Sequence, residues 1–152
     1  MGAITRGLAN NVTTAGKILQ TAVSGGVGNT MANQWRITTD FTGAGNPITS
    51  NWEIADTDGY GSLGSNMTQS SGIFTFPSTG FWLITFVCTW YHNGSSKWVE
   101  ADIRTTTNNS SYTNPSETYS HITQSESDTT YATATAQTVF DVTNTSNCKV
   151  QF

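Results

Sequence analysis

The sequence predicts an all-β protein built as a two-sheet sandwich, jelly roll or barrel, and three observations carry that prediction. Short segments alternate apolar and polar residues with a period of two, separated by turn residues, as small all-β domains do. No stretch after Trp35 keeps the helical spacing of apolar residues. The polar residues are mostly Ser, Thr, Asn and Gly, with only 11% charged side chains against roughly 25% in average soluble proteins. Thr suits strands, whereas Asn and Gly suit the turns between them.

At 152 residues the chain has room for one domain and an appendage. Residues 1–33 form the appendage. One amphipathic helical turn fits "AGKILQTAV" (Ala15 to Val23), closed by Gly25 and Gly26. So little apolar area cannot fold alone, so the segment reads as an N-terminal tail that anchors on a neighbour. Residues 34–152 form the head.

Within the head, "QWRITTDFTG" opens with Trp35, Ile37 and Thr39 on one face, and "PITSNWEIAD" supplies a second, weaker strand. "DTDGYGSLGSN" is a glycine-rich loop. "GIFTFPSTG" gives a short strand that Pro77 ends, then a turn to Gly80. A long strand follows from Phe81 to His92, and Asn93–Gly94 predicts a hairpin into "KWVEADIRTTT". There Val99, Ala101 and Ile103 point inward and Glu100, Asp102 and Arg104 outward. The polar stretch after Asn108 carries one short strand near Tyr119 to Thr123. "YATATAQTVFDV" alternates again, "TNTSN" turns, and "CKVQF" begins one more strand.

The long strand is apolar on both faces. Trp82, Ile84, Phe86, Cys88 and Trp90 belong to the core, each large side chain contributing about 1.5–3 kcal/mol when buried. Phe81, Leu83, Thr85, Val87, Thr89 and Tyr91 face the other way. Left in water, they join a patch of a size that soluble monomers avoid. Either a loop covers it or a second copy of the chain does. Self-association is the favoured cover, with Phe81, Leu83, Val87 and Tyr91 at the interface and Tyr131 beside them on a neighbouring strand.

Charge excludes several functions. A net charge of −4, a pI near 4.8 and six scattered basic residues argue against a nucleic-acid surface. No apolar run approaches the roughly 20 residues of a spanning helix, so membrane insertion is not expected. The N-terminus lacks the apolar stretch of a secretory signal, which predicts synthesis in a cytoplasm. Cys88 and Cys148 are too few for a disulfide framework or a zinc cage and are expected to be reduced core thiols.

Catalytic motifs are missing. His92 and His121 lack a neighbouring nucleophile motif and read as exposed loop residues, so the chain is not expected to be an enzyme and no cofactor is expected. Asp56 and Asp58 in "DTDG" are candidate calcium ligands by oxygen type. An EF-hand alignment fails, because Ile54 and Ser65 fall where oxygen ligands belong, and the plainer reading is a turn with Gly59 at positive φ. Trp98, outward with Glu100 and Asp102, is the candidate for stacking on a glycan, with packing against a neighbouring loop as the alternative.

The segment "ADTDGYGSLGSNMTQSSGIFTFPSTGFWLITF" resembles the start of the trimeric jelly-roll domain shared by tumour necrosis factor and the globular heads of complement component one, subunit q. The motif G-x-F-T-x-P-x-x-G-x-Y reads here as Gly72, Phe74, Thr75, Pro77 and Gly80, with Trp82 at the aromatic place. The wording is most similar to a branch found in marine bacteriophage fibre and appendage proteins. The resemblance spans Trp35 to Phe152 and is specific over residues 55–91. It implies a homotrimeric head in a virion, tethered to other virion proteins by its tail and able to touch a host-surface glycan or protein. Some relatives hold calcium near the axis. A calcium- or carbohydrate-binding module outside a virion and a ligand-free capsid decoration protein are the alternatives. The family's last strand would follow Phe152, so the resemblance implies a slot for a longer product, the tail or a neighbouring chain.

Overall fold

The computed structural model describes residues 29–124 and 127–152. The helical turn expected over Ala15 to Val23 lies outside the described residues. Among the described residues the protein is all-β with no helix, its nine strands arranged as a sandwich-like set of sheets. The strands are β1 (Trp35–Ile37), β2 (Trp52–Ile54), β3 (Thr68–Ser70), β4 (Ile73–Thr75), β5 (Gly80–His92), β6 (Ser96–Thr106), β7 (Thr113–Ile122), β8 (Thr130–Val142) and β9 (Lys149–Gln151). A five-stranded sheet runs in the order β3-β4-β9-β6-β7, and β1-β2 and β5-β8 form two separate antiparallel ladders.

Tight turns are set by residues that tolerate positive φ. Ser71 (φ 50°) and Gly72 (φ 79°) join β3 to β4 with a two-residue reversal, the kind whose twist matches paired strands. Gly72 is needed for space as well, since a Cβ there would lie 2.2 Å from the Ile48 carbonyl oxygen. Asn144 shapes the turn before β9 by accepting the amides of Ser146 (2.8 Å) and Asn147 (3.2 Å) on its side-chain oxygen.

Phe74, Phe76, Ile84, Ile103, Ala136, Val142, Cys148 and Val150 form the buried core. Phe74 takes the edges of Trp35, Trp52 and Phe152 at centroid distances of 5.2, 5.0 and 5.3 Å. Phe152 also meets Phe86 of β5 at 5.0 Å, so one ring touches both two-stranded ladders. Trp35 and Trp52 therefore serve packing.

Two expectations are corrected. Asn93–Gly94 does not close a hairpin: β5 pairs with β8, and β6 pairs with β7 and β9. An Asn-Gly pair reverses the chain locally, but the burial of β6 against the core decides which sheet receives it. The polar stretch holds a ten-residue strand, β7, where a short one was expected. Its inward residues are Ser116, Thr118 and Ser120, too polar to announce a buried face, with the buried Ile122 at its end. Just ahead of Gln34 the chain also makes contacts with the head. Ala32 pairs with Leu63, and the Met67 amide donates to Asn33 Oδ1.

Candidate functional site

Thirteen consecutive pairs, from Gly80↔Val142 to His92↔Thr130, tie β5 to β8 without interruption. Period two then sorts the side chains as the sequence predicts. Ile84 is buried and Trp82, Phe86, Cys88 and Trp90 are half-buried. On the outward face Phe81 is 79% exposed, Leu83 67%, Tyr131 67%, Val139 65%, Val87 60% and Tyr91 55%. Tyr91 and Tyr131 are direct cross-strand partners with ring centroids 5.9 Å apart, and Leu83 stands opposite Val139. Between these apolar ends, Gln137 Nε2 donates to Thr85 Oγ1 at 2.9 Å and the hydroxyls of Thr89 and Thr133 lie 3.1 Å apart. Asp141 is the one charged residue on this face.

The five residues expected at an interface thus share one exposed face. Val139 belongs with them and was missed, because only the register with Leu83 brings it there. Phe81 to Tyr91 span one strand of about 33 Å at 3.3 Å per residue, so the strip is long and narrow.

Burial raises the Cys88 thiol to about 11 from its ordinary 9.0, and Cys148 is buried. Both cysteines are free thiols. His92 and His121 are exposed as expected, but each sits on a strand, β5 and β7, instead of in a loop. Asp56 and Asp58 are exposed in the loop after β2. Asp58 (φ 54°) and Gly59 (φ 88°) form a turn closed by the Tyr60 amide donating to the Thr57 carbonyl at 3.0 Å. Neither carboxylate joins the one described group of clustered carboxyl groups, which lies on the β6–β7 ladder.

That group consists of Glu100, Asp102 and Glu117, whose oxygens lie within 4.8 Å of one another. Register places Asp102 directly opposite Glu117 and Glu100 opposite Tyr119. Like charges facing across strands are destabilising. Asn114 Nδ2 relieves part of the repulsion by donating to Glu117 Oε1 (2.9 Å) and Asp102 Oδ2 (3.3 Å). Asp102 Oδ1 is enclosed and meets no donor. Burial first, and then the Glu100 carboxyl beside it and the charge of Glu117, push Asp102 from the ordinary 3.8 to about 6, while Arg104 pulls the other way. The Glu100 carboxyl beside it hydrogen-bonds Asp102 when one of the two is protonated. Tyr119 donates its hydroxyl to Glu117 Oε2 at 3.0 Å, and that bond raises it to about 12.

A carboxyl group whose folded pKa lies above its unfolded value stabilises the fold at low pH, and loses that stabilisation as pH rises through the folded pKa. Melting temperature measured from pH 3 to pH 7 is therefore expected to carry a downward contribution from this cluster, running from the ordinary 3.8 up to about 6. Asp102→Asn should flatten that window and melt higher than the parent chain at pH 7. An unchanged profile in the variant would show that the cluster does not share a proton.

Trp98 is on the same solvent face, 58% exposed, beside Tyr119. Among the described residues no helix is long and apolar enough to cross a membrane. No family model, curated protein or solved structure matches this chain.

Proposed function

We propose that this chain is the head of a homotrimeric structural protein in a tailed-bacteriophage virion, at a fibre or appendage. Three jelly-roll heads shield their outward β5–β8 faces against one another around a common axis. The N-terminal segment tethers them to other virion proteins, and the outer surface is free for host contact. The observation that carries this reading is the exposed apolar strip of Phe81, Leu83, Val87, Tyr91, Tyr131 and Val139. A face of this kind is ordinary at an interface between identical subunits and costly in water. The polar Thr85–Gln137 and Thr89–Thr133 contacts suit such an interface as well, because buried polar layers fix the register of association. The order of the five-stranded sheet, with its first, last and middle strands brought together from distant parts of the chain, is compatible with a jelly roll. The resemblance over residues 55–91 supports the virion assignment.

Multi-angle light scattering on the full chain tests the assembly. The expected mass is three times that of the 16.3 kDa chain, and a well-behaved single subunit at working concentration overturns the trimer. Antibodies against the head should label a fibre or appendage on purified phage particles. Absence of label from intact and disrupted particles removes the virion assignment while leaving the trimer standing.

A further inference from the structure

The β6–β7 ladder turns a second distinctive face to solvent, on the side of the five-stranded sheet away from the core. Trp98 and Tyr119 are 58% and 57% exposed, and their rings meet edge to face with centroids 5.9 Å apart and planes at 70°. Glu100 and Asp102 follow Trp98 along β6, with Glu117 facing Asp102 from β7. The surface therefore changes from aromatic to carboxylate over four residues, about 13 Å of strand. Strand β7 ends the five-stranded sheet, and β8 lies along its far side, where the Gln137 backbone amide donates to Ser116 Oγ at 3.1 Å, so the array is approached from above.

We propose that this face binds a neutral sugar unit of a glycan, with the apolar side of the ring on Trp98 or Tyr119 and the hydroxyls donating to Glu117 and Glu100. The C–H face of a pyranose is slightly positive and matches the negative face of an aromatic ring. Sugar hydroxyls need acceptors, and an ionised carboxylate offers about four lone-pair sites. Glu117 is held ready, since Asn114 and Tyr119 each donate to one of its oxygens and fix its orientation while leaving lone pairs free. Charge then selects the class of sugar. Three carboxyl groups stand together, with Arg104 as the cation acting on Asp102. Sialylated, sulfated or phosphorylated sugars meet repulsion here, whereas neutral ones do not. The site goes beyond the assembly reading and is complete within one head; a trimer adds avidity through three copies.

The full chain titrated with lactose, maltotriose and diacetylchitobiose, followed by calorimetry and tryptophan fluorescence, tests this. At least one neutral sugar is expected to bind, with sialyllactose weaker than lactose. Trp98→Ala and Tyr119→Ala should each lower affinity roughly tenfold or more, and Trp98→Phe should retain most of it. Both alanine variants remove exposed side chains, so mass and melting temperature should stay near the parent's. Absence of binding by all three neutral sugars, equal binding of sialyllactose, or binding unchanged in both alanine variants overturns the inference. None of these outcomes touches the trimer, whose own test is mass.

Discussion

Leu83→Asp is expected to convert the proposed trimer into monomer or aggregate. Leu83 stands near one end of the outward strip, 67% exposed in the single subunit and directly opposite Val139. Burying a leucine stabilises by about 1.5–3 kcal/mol, and a threefold assembly loses that at three equivalent positions. The substitution also brings three carboxylates toward one axis, where each must be desolvated without a partner. Phe81 and Val139 lie beside it and offer no donor, and on its other side the Gln137 side-chain amide and Thr85 hydroxyl are engaged with each other. Leu63→Asp is the control, because Leu63 is also exposed (49%) but lies in the loop between β2 and β3, off the strip. Light scattering should report the trimer mass for the control and its loss for Leu83→Asp. A soluble trimer in both would refute the assignment of this face to the axis.

Phe74→Ala is expected to cost about 3–5 kcal/mol, the range for removing a buried phenylalanine. The residue is 2% exposed and is the ring on which Trp35, Trp52 and Phe152 all converge. Those three come from three different parts of the chain, so a cavity here loosens β1, β2 and the segment after β9 together. Set against a typical domain stability of 5–15 kcal/mol, the loss is enough to leave a large unfolded fraction at modest urea. Urea unfolding followed by near-UV dichroism measures it. A loss below about 1 kcal/mol would mean that the aromatic cluster repacks and is not the keystone of the core.

The two faces of β5 were legible because period two is local: once Phe81 to His92 is a strand, alternation assigns every side chain. The same holds for Val99, Ala101 and Ile103 against Glu100, Asp102 and Arg104. What alternation cannot supply is the identity of the neighbouring strand. Asn93–Gly94 looks like a hairpin to any local reading, and only the burial of β6 in the opposite sheet shows otherwise. Val139 beside Leu83, and Glu117 beside Asp102, follow from registers between segments far apart or separated by polar loops. Trp98 could be singled out by its outward position, but Tyr119 could not be placed next to it. Strand β7 escaped for another reason, since Ser116, Thr118 and Ser120 face inward with no apolar signal.

Because Asp141 is the lone charged side chain on the outward face of β5 and β8, contacts made there owe almost nothing to ion pairing. Electrolyte at the strength of sea water therefore has little to screen. Sulfate-type ions, which favour withdrawal of apolar surface from water, should tighten the proposed association of subunits.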